Sequence, residues 1–334
     1  MGLQEIAVTP LEFTPSGLSL LPAFPVSACN GLILVAGKSL EIWNPLTHER
    51  LKLLRGKCNP NPKEEAFGLG YDYTTDDYKV VVIHDHRLHR RRHGRDNFAC
   101  QTHVYSLRSD SWRNAENCPW RGPRGPGVFL SGALHWTIIG MDKIIVFDLA
   151  TENYRQLQAP PLRERDTLNV KEKRYFNLDV LDGCLVVSDF AKTDRTSGNL
   201  EHYEYDVWVL KDYGDKDSWI KLFSLEDEEC MSYHIINPRP VAFMKDKTQI
   251  LLQDDGLSWG CSQDDRSGFF MLDLESNSMK RVGIHGLTGT LYAQFIPGTI
   301  FCLHDNCGVN GRATKRRRRR LGKRTSNMKM WDTT

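Results

Sequence analysis

Apolar residues along this chain arrive in short bursts, and the bursts keep a rhythm. Ile144, Ile145, Val146 and Phe147 run together, a turn opens at Asp148, and a second burst starts at Tyr154. SLEIWNPLTHERLKLL at 39–54 and GFFMLDLESNSMKRV at 268–282 repeat the arrangement. The bursts are rich in β-branched and aromatic residues and too short for helices, which predicts strands. Asn44, Asp148 and Asp273 open the turns, and such side chains accept hydrogen bonds from backbone N–H groups two residues on. Looser copies occur as THVYSLRSDSWRN at 102–114 and YDVWVLKDYGDKDSWIKLFSL at 205–225. The turn-opening residues Asn44, Ser106, Asp148, Leu210 and Asp273 lie 62, 42, 62 and 63 positions apart. A propeller blade takes about 40–50 residues, so the steps predict blades, three of them lengthened by loop insertions.

Further strand candidates fill the intervals: CNGLILVAG at 29–37, GVFLSGALHWTII at 127–139 and DVLDGCLVVSDF at 179–190. The predicted fold is all-β, a β-propeller-like repeat of short antiparallel sheets with about five or six blades. A blade cannot bury both of its faces alone. Trp43, Tyr105, Trp112, Phe147, Tyr154, Trp208 and Trp219 are therefore predicted to fill the spaces between blades. His135 and Trp136, inside the apolar strand GALHWTII, are predicted core residues.

Composition narrows the classes. Hydrophobic residues make up 40% and charged residues 26% of 334, the balance of a globular chain with a sizeable core. No apolar run reaches the roughly 18 residues of a membrane span, and MGLQEIAVTP has no signal-peptide pattern. Nine scattered cysteines without a CxxC read as mostly reduced thiols of a cytosolic or nuclear protein. CLHDNC at 302–307 lacks the second half of a zinc site, so no metal or cofactor is expected. The net charge of +2 conceals a split: residues 305–334 carry ten Lys or Arg against two Asp, leaving a body near −6. Such a body is not a general polyanion binder.

The series CNGLILV, IWNPLTHE, AFGLGYDYTTDDYKVV, VYSLRSDSWR, GVFLSGALHW, IIVFDLATENYRQL and VWVLKDYGDKDSWIKLFSL closely resembles the F-box associated domain of plant F-box proteins, from about Cys29 to Ile296. Kelch propellers usually carry Gly-Gly in each blade, and this chain has none. The resemblance implies a module without chemistry of its own. It presents a protein target for ubiquitination, while an F-box ahead of it docks on the adaptor of a cullin-based ligase. Pro10, Pro15, Pro22 and Pro25 exclude a multi-helix unit from residues 1–28, so adaptor binding is expected only where an F-box is supplied elsewhere. The expected organisation is an irregular segment at 1–25, the propeller-like domain at 26–300 and a basic disordered tail at 301–334. A monomer with an unknown protein partner is expected, with no membrane contact.

Two basic features stand out. HDHRLHRRRHGR places His84, His86, Arg87, His89, Arg90, Arg91, Arg92, His93 and Arg95 on a predicted hairpin loop, a candidate grip on an acidic or phosphorylated target. Lys315, Arg316, Arg317, Arg318, Arg319, Arg320, Lys323 and Arg324 form a candidate nuclear-import run, with weak contact to nucleic acid as a side effect. Location in the nucleus, the cytoplasm or both follows. Two other functions compete with target recognition. One is a propeller enzyme acting on carbohydrate, which would converge carboxylates or metal ligands near the axis. The other is a nuclear interaction protein without an F-box.

Overall fold

The computed structural model describes residues 24–282 apart from 38, 54–64, 86–99, 121–122, 124, 139–142, 162–170, 195–200, 227–237, 245–246 and 255–267. Among the described residues only strands, turns and one short 3-10 segment at 216–218 occur. Five small sheets form a five-bladed propeller. Blade one contains β1 (Phe24–Cys29), β2 (Leu32–Ala36), β3 (Leu40–Trp43) and β4 (Arg50–Leu53). Blade two contains β5 (Glu65–Asp72), β6 (Asp77–Asp85), β7 (Cys100–Ser106) and β8 (Ser111–Asn114), with β9 (Gly125–Pro126) added in parallel along β5. Blade three contains β10 (Val128–Leu130), β11 (Ala133–Thr137), β12 (Lys143–Asp148) and β13 (Tyr154–Gln158). Blade four contains β14 (Lys171–Leu181), β15 (Cys184–Asp194), β16 (Glu201–Leu210) and β17 (Trp219–Leu225). Blade five contains β18 (Pro238–Phe243), β19 (Gln249–Asp254), β20 (Gly268–Asp273) and β21 (Met279–Val282). Each blade pairs its strands in chain order, and the first strand of each packs on the first strand of the next: β1 on β5, β5 on β10, β10 on β14, β14 on β18.

Local chemistry explains the turns. Asn30-Gly31, Ser131-Gly132 and Asp182-Gly183 join the first two strands of their blades with both residues at positive φ, between 46° and 84°. That is the hairpin turn whose twist matches the flanking strands. The turns between third and fourth strands obey a second rule. Asn44 Oδ1 accepts from the backbone N of Leu46 at 3.0 Å, Asp148 Oδ1 from Thr151 N at 2.8 Å, and Asp273 Oδ1 from Ser276 N at 2.9 Å. Four residues after each opener the chain enters the left-handed region, at His48, Asp110, Glu152 and Asn277. Ser106, the opener in blade two, uses its hydroxyl in the same way, accepting from Ser109 N at 3.2 Å.

Blade packing rests on missing side chains. A Cβ on Gly68 would lie 2.8 Å from Leu134, and one on Gly127 would lie 2.5 Å from the Trp136 indole. Trp136 is 1% exposed, so its ring has nowhere to move. The alternation in AFGLGYD therefore makes β5 a flat surface on which β11 of blade three can press. Ser27 completes the seam near the axis. Its hydroxyl donates to Gly127 O at 2.7 Å and accepts from Leu69 N at 3.0 Å, tying blade one to blade two.

Candidate functional site

Strand direction sorts the connections onto two faces. Strands one and two of a blade, and strands three and four, are joined at one end of the propeller, in blade four through the eight residues 211–218 between β16 and β17. The links between strands two and three, and from blade to blade, emerge at the other end. The long spans 86–99 and 255–267 are of this second kind, as are the interblade spans 54–64, 159–170 and 226–237. Long loops on a rigid scaffold are where binding residues concentrate, so this loop face is the candidate recognition surface.

The candidate basic loop springs from it between β6 and β7. His84, at its root, is described. Its Nε2 pairs with Oε1 of Glu65, a buried carboxylate on the neighbouring strand, and its ring sits edge-on to His103 at 6.1 Å. His84 is thus committed to its own blade. His86, Arg87, His89, Arg90, Arg91, Arg92, His93 and Arg95 lie outside the described residues. So do the basic run from Lys315 to Arg324 and the CLHDNC segment.

The seven aromatics divide. Phe147, Tyr105, Trp43 and Trp219 are buried, whereas Trp112, Tyr154 and Trp208 are half-buried. Tyr154 of blade three shares a 2.6 Å hydrogen bond with Thr102 of blade two. Trp219 of blade four donates from Nε1 to Gln158 O of blade three at 3.0 Å. Trp43 and Trp208 lie beneath cations, Arg50 at 5.7 Å and Lys221 at 5.1 Å from the ring centres. Trp112 packs on Tyr105 within one blade, with centroids 5.3 Å apart.

YDYTTDDYK at 71–79, a prominent piece of the sequence, builds a latch on the turn face. Asp72 accepts from Thr74 N at 2.8 Å and from the Thr75 hydroxyl at 2.6 Å, holding its own turn. Buried Lys79 then donates to Asp72 Oδ2 at 2.8 Å, to Leu149 O at 2.6 Å and to Glu152 Oε1 at 3.0 Å. The last two belong to blade three, and Arg113 of blade two also clasps Glu152. Burial pushes the Asp72 carboxyl up, but the hydrogen bonds from Lys79, Thr75 and Thr74 outweigh it and hold it at about 2. Sequence inspection does not single out Lys79. The visible signal is a lysine standing between Tyr78 and the apolar run Val80–Ile83.

A second relay joins blades three and four. His135, fully buried, lies 3.1 Å from Val128 O through Nδ1 and 2.6 Å from the Tyr213 hydroxyl through Nε2. Arg155 donates to that same hydroxyl at 2.8 Å and lies 5.5 Å over the Tyr213 ring. One neutral tautomer satisfies all three contacts: Nδ1–H donates to the carbonyl, the phenol donates to Nε2, and the phenol accepts from Arg155. The relay stands beside a recess of about 370 Å³ lined by Lys143, Arg155, Gln156, Leu157, Gln158, Gly214 and Lys216. This cationic rim suits an acidic side chain of a bound protein. Neither Tyr213 nor Arg155 is recognisable from sequence, because the span between them is 58 residues.

Burial pulls His135 down to about 4, against an ordinary value of 6.5. Between pH 6.5 and 4 the unfolded chain takes up a proton that the folded chain refuses. The contribution of His135 to folding stability is therefore complete above about pH 7 and falls as the pH drops through that window, by about 2 kcal/mol at pH 5. In urea titrations at pH 7 and pH 5, His135→Gln is expected to lose this part of the pH dependence. An unchanged pH dependence in the variant would assign the acid sensitivity to other groups.

A sequence profile of the F-box associated beta propeller domain matches residues 9–286. Among curated proteins of Arabidopsis thaliana, the chain is 26% identical to F-box protein CPR1 over 309 residues, covering 84% of this chain and 68% of that protein. It is 30% identical to F-box protein At4g22390, covering 78% of this chain and 62% of that protein. With F-box/kelch-repeat protein At3g23880 the identity is 28%, covering 60% of this chain and 52% of that protein.

Proposed function

Because the chain belongs to the F-box associated β-propeller family, we propose that it recognises a protein target on behalf of an SCF-type ubiquitin ligase. It works by binding and carries out no chemistry itself. The observation that supports this reading most directly is that the described strand ends bordering the spans 54–64, 86–99, 159–170, 226–237 and 255–267 share one face of a propeller whose second and third blades are latched together. A rigid ring with long loops gathered on one face can hold a partner in fixed orientation, which transfer of ubiquitin to that partner requires. The basic loop at 86–99, rooted by the His84–Glu65 pair, is the leading candidate contact. Contact with the ligase adaptor belongs to an F-box, in the same polypeptide or in a companion.

Affinity capture from native cells, with mass spectrometry, tests the proposal. The wild-type chain is expected to retain one or a few proteins at near-equal stoichiometry. Replacing residues 86–95 by a Gly-Ser linker is expected to release them without changing the melting temperature. Depleting the chain's transcript is expected to lengthen the half-life of the captured target. A captured set indifferent to the replacement would move the contact elsewhere, and an unchanged half-life would remove the ligase role.

A further inference from the structure

Cys100 and Cys118 meet where the edge of blade two turns towards blade three. Strands β7 and β8 pair regularly, His103 opposite Asn114 and Tyr105 opposite Trp112, and Ala115 N still donates to Thr102 O at 3.0 Å. One residue is then gained, and the ladder resumes for a single antiparallel bridge between Cys100 and Cys118. Directly opposed residues of an antiparallel pair have Cα atoms about 4.5–5.5 Å apart. That separation lies inside the range a disulfide spans, about 4.4–6.8 Å.

Opposition along the backbone is not sufficient, because the side chains must also share a face. Both do. Cys100 and Cys118 are 2% and 1% exposed, and both belong to one apolar cluster with Val81, Val104, Leu134 and Trp136. Burial first, and then the charges these two sulfurs would carry as thiolates, push the Tyr154 hydroxyl up, so both sulfurs stand near it. As thiols they are separate groups, and Cys100 Sγ donates to Trp120 O at 3.5 Å.

We propose that Cys100 and Cys118 form a cross-strand disulfide when the chain meets a small-molecule disulfide such as oxidised glutathione. One protein thiol loses its proton to solvent and attacks the small disulfide, forming a mixed disulfide and expelling one thiolate. The second protein thiolate attacks the protein sulfur of that mixed bond and expels the other. Two protein thiols become one protein disulfide, and one small disulfide becomes two small thiols, which take back the two protons. The reaction is slow, because both sulfurs are buried and the attack waits for local opening. Its consequence is mechanical. Cys100 is the residue at which the chain re-enters the sheet after span 86–99, so the bond pins the exit of that loop to the connector leaving β8. It also closes the β7–β8 hairpin covalently, which removes entropy from the unfolded chain.

The full chain is reduced, freed of reductant, incubated with oxidised glutathione, alkylated and digested without reduction. The expected product is a peptide pair joined through Cys100 and Cys118, appearing over minutes to hours. The oxidised chain is expected to melt several degrees above the reduced chain, and added dithiol is expected to reverse the shift. Cys118→Ser is expected to abolish both the linked peptide and the shift. Cys100→Ala/Cys118→Ala, melting like the reduced wild type, separates the lost bond from a failure to fold. Overturning results are a chain in which Cys100 and Cys118 remain alkylatable after full exposure, or links that scatter among the nine cysteines without preference.

Discussion

Trp219→Ala is expected to lower the unfolding free energy by about 3–5 kcal/mol, whereas Trp112→Ala is expected to cost about 2 kcal/mol. Both tryptophans open the fourth strand of a blade, and by position in the repeat they are equivalent. Their surroundings differ. Trp219 is 7% exposed and belongs to the apolar cluster that joins Ile144, Val146 and Leu157 of blade three to Leu185 and Val187 of blade four. Its indole N–H also reaches across the seam to Gln158 O at 3.0 Å. Truncation would open a cavity between two blades and leave that carbonyl without its donor. Trp112 is half-buried, on Tyr105 at the edge of the cluster shared by blades one and two, so its removal opens a smaller part of the interior. Urea titration of both variants decides the matter. Equal losses would mean that position in the repeat, and not depth of burial, sets the energy of these aromatics.

That contrast marks where sequence reading stops. The blade rhythm is legible because its chemistry is local. Asp148 caps Thr151 three residues away, and Asn30-Gly31 turns the chain by itself. The five blades follow from such signals within the range expected from the repeat. Contacts between blades are legible only in part. The alternation of Gly68 and Gly70 in β5 announces a close approach but not its partner, because Trp136 lies 68 positions after Gly68. The added strand β9 is two residues long, and no periodicity can mark it. His84 shows the limit at the candidate site. Composition groups it with the basic loop, yet buried Glu65 on β5 draws it back into the sheet.

Lys79→Met is expected to cost about 3–5 kcal/mol at pH 7, and most of that loss should disappear on acidification. Lys79 fills an interior position with its methylenes and sets its ammonium against Asp72, Glu152 and the Leu149 carbonyl. Met supplies the methylenes without the charge. The Asp72 carboxylate, whose side chain is fully buried, would then keep only its turn hydrogen bonds from Thr74 and Thr75. In the wild type the folded Asp72 titrates at about 2 against an ordinary 3.8. Its stabilising contribution is therefore present above about pH 4 and is lost as the pH falls towards 2. In the variant, burial, the largest influence on this carboxyl, is opposed only by the hydrogen bonds from Thr75 and Thr74, and the carboxyl is expected to rise above its unfolded value. The folded variant then binds its proton before the unfolded chain does, so its stability increases as the pH falls from neutrality towards 4. From pH 7 to pH 4 the Asp72 contribution is thus constant in the wild type and rises in the variant. Urea midpoints measured from pH 7 to pH 4 are expected to converge. A gap between them that stays constant would show that Lys79 acts through packing and the Leu149 carbonyl, with the Asp72 charge contributing nothing to the latch.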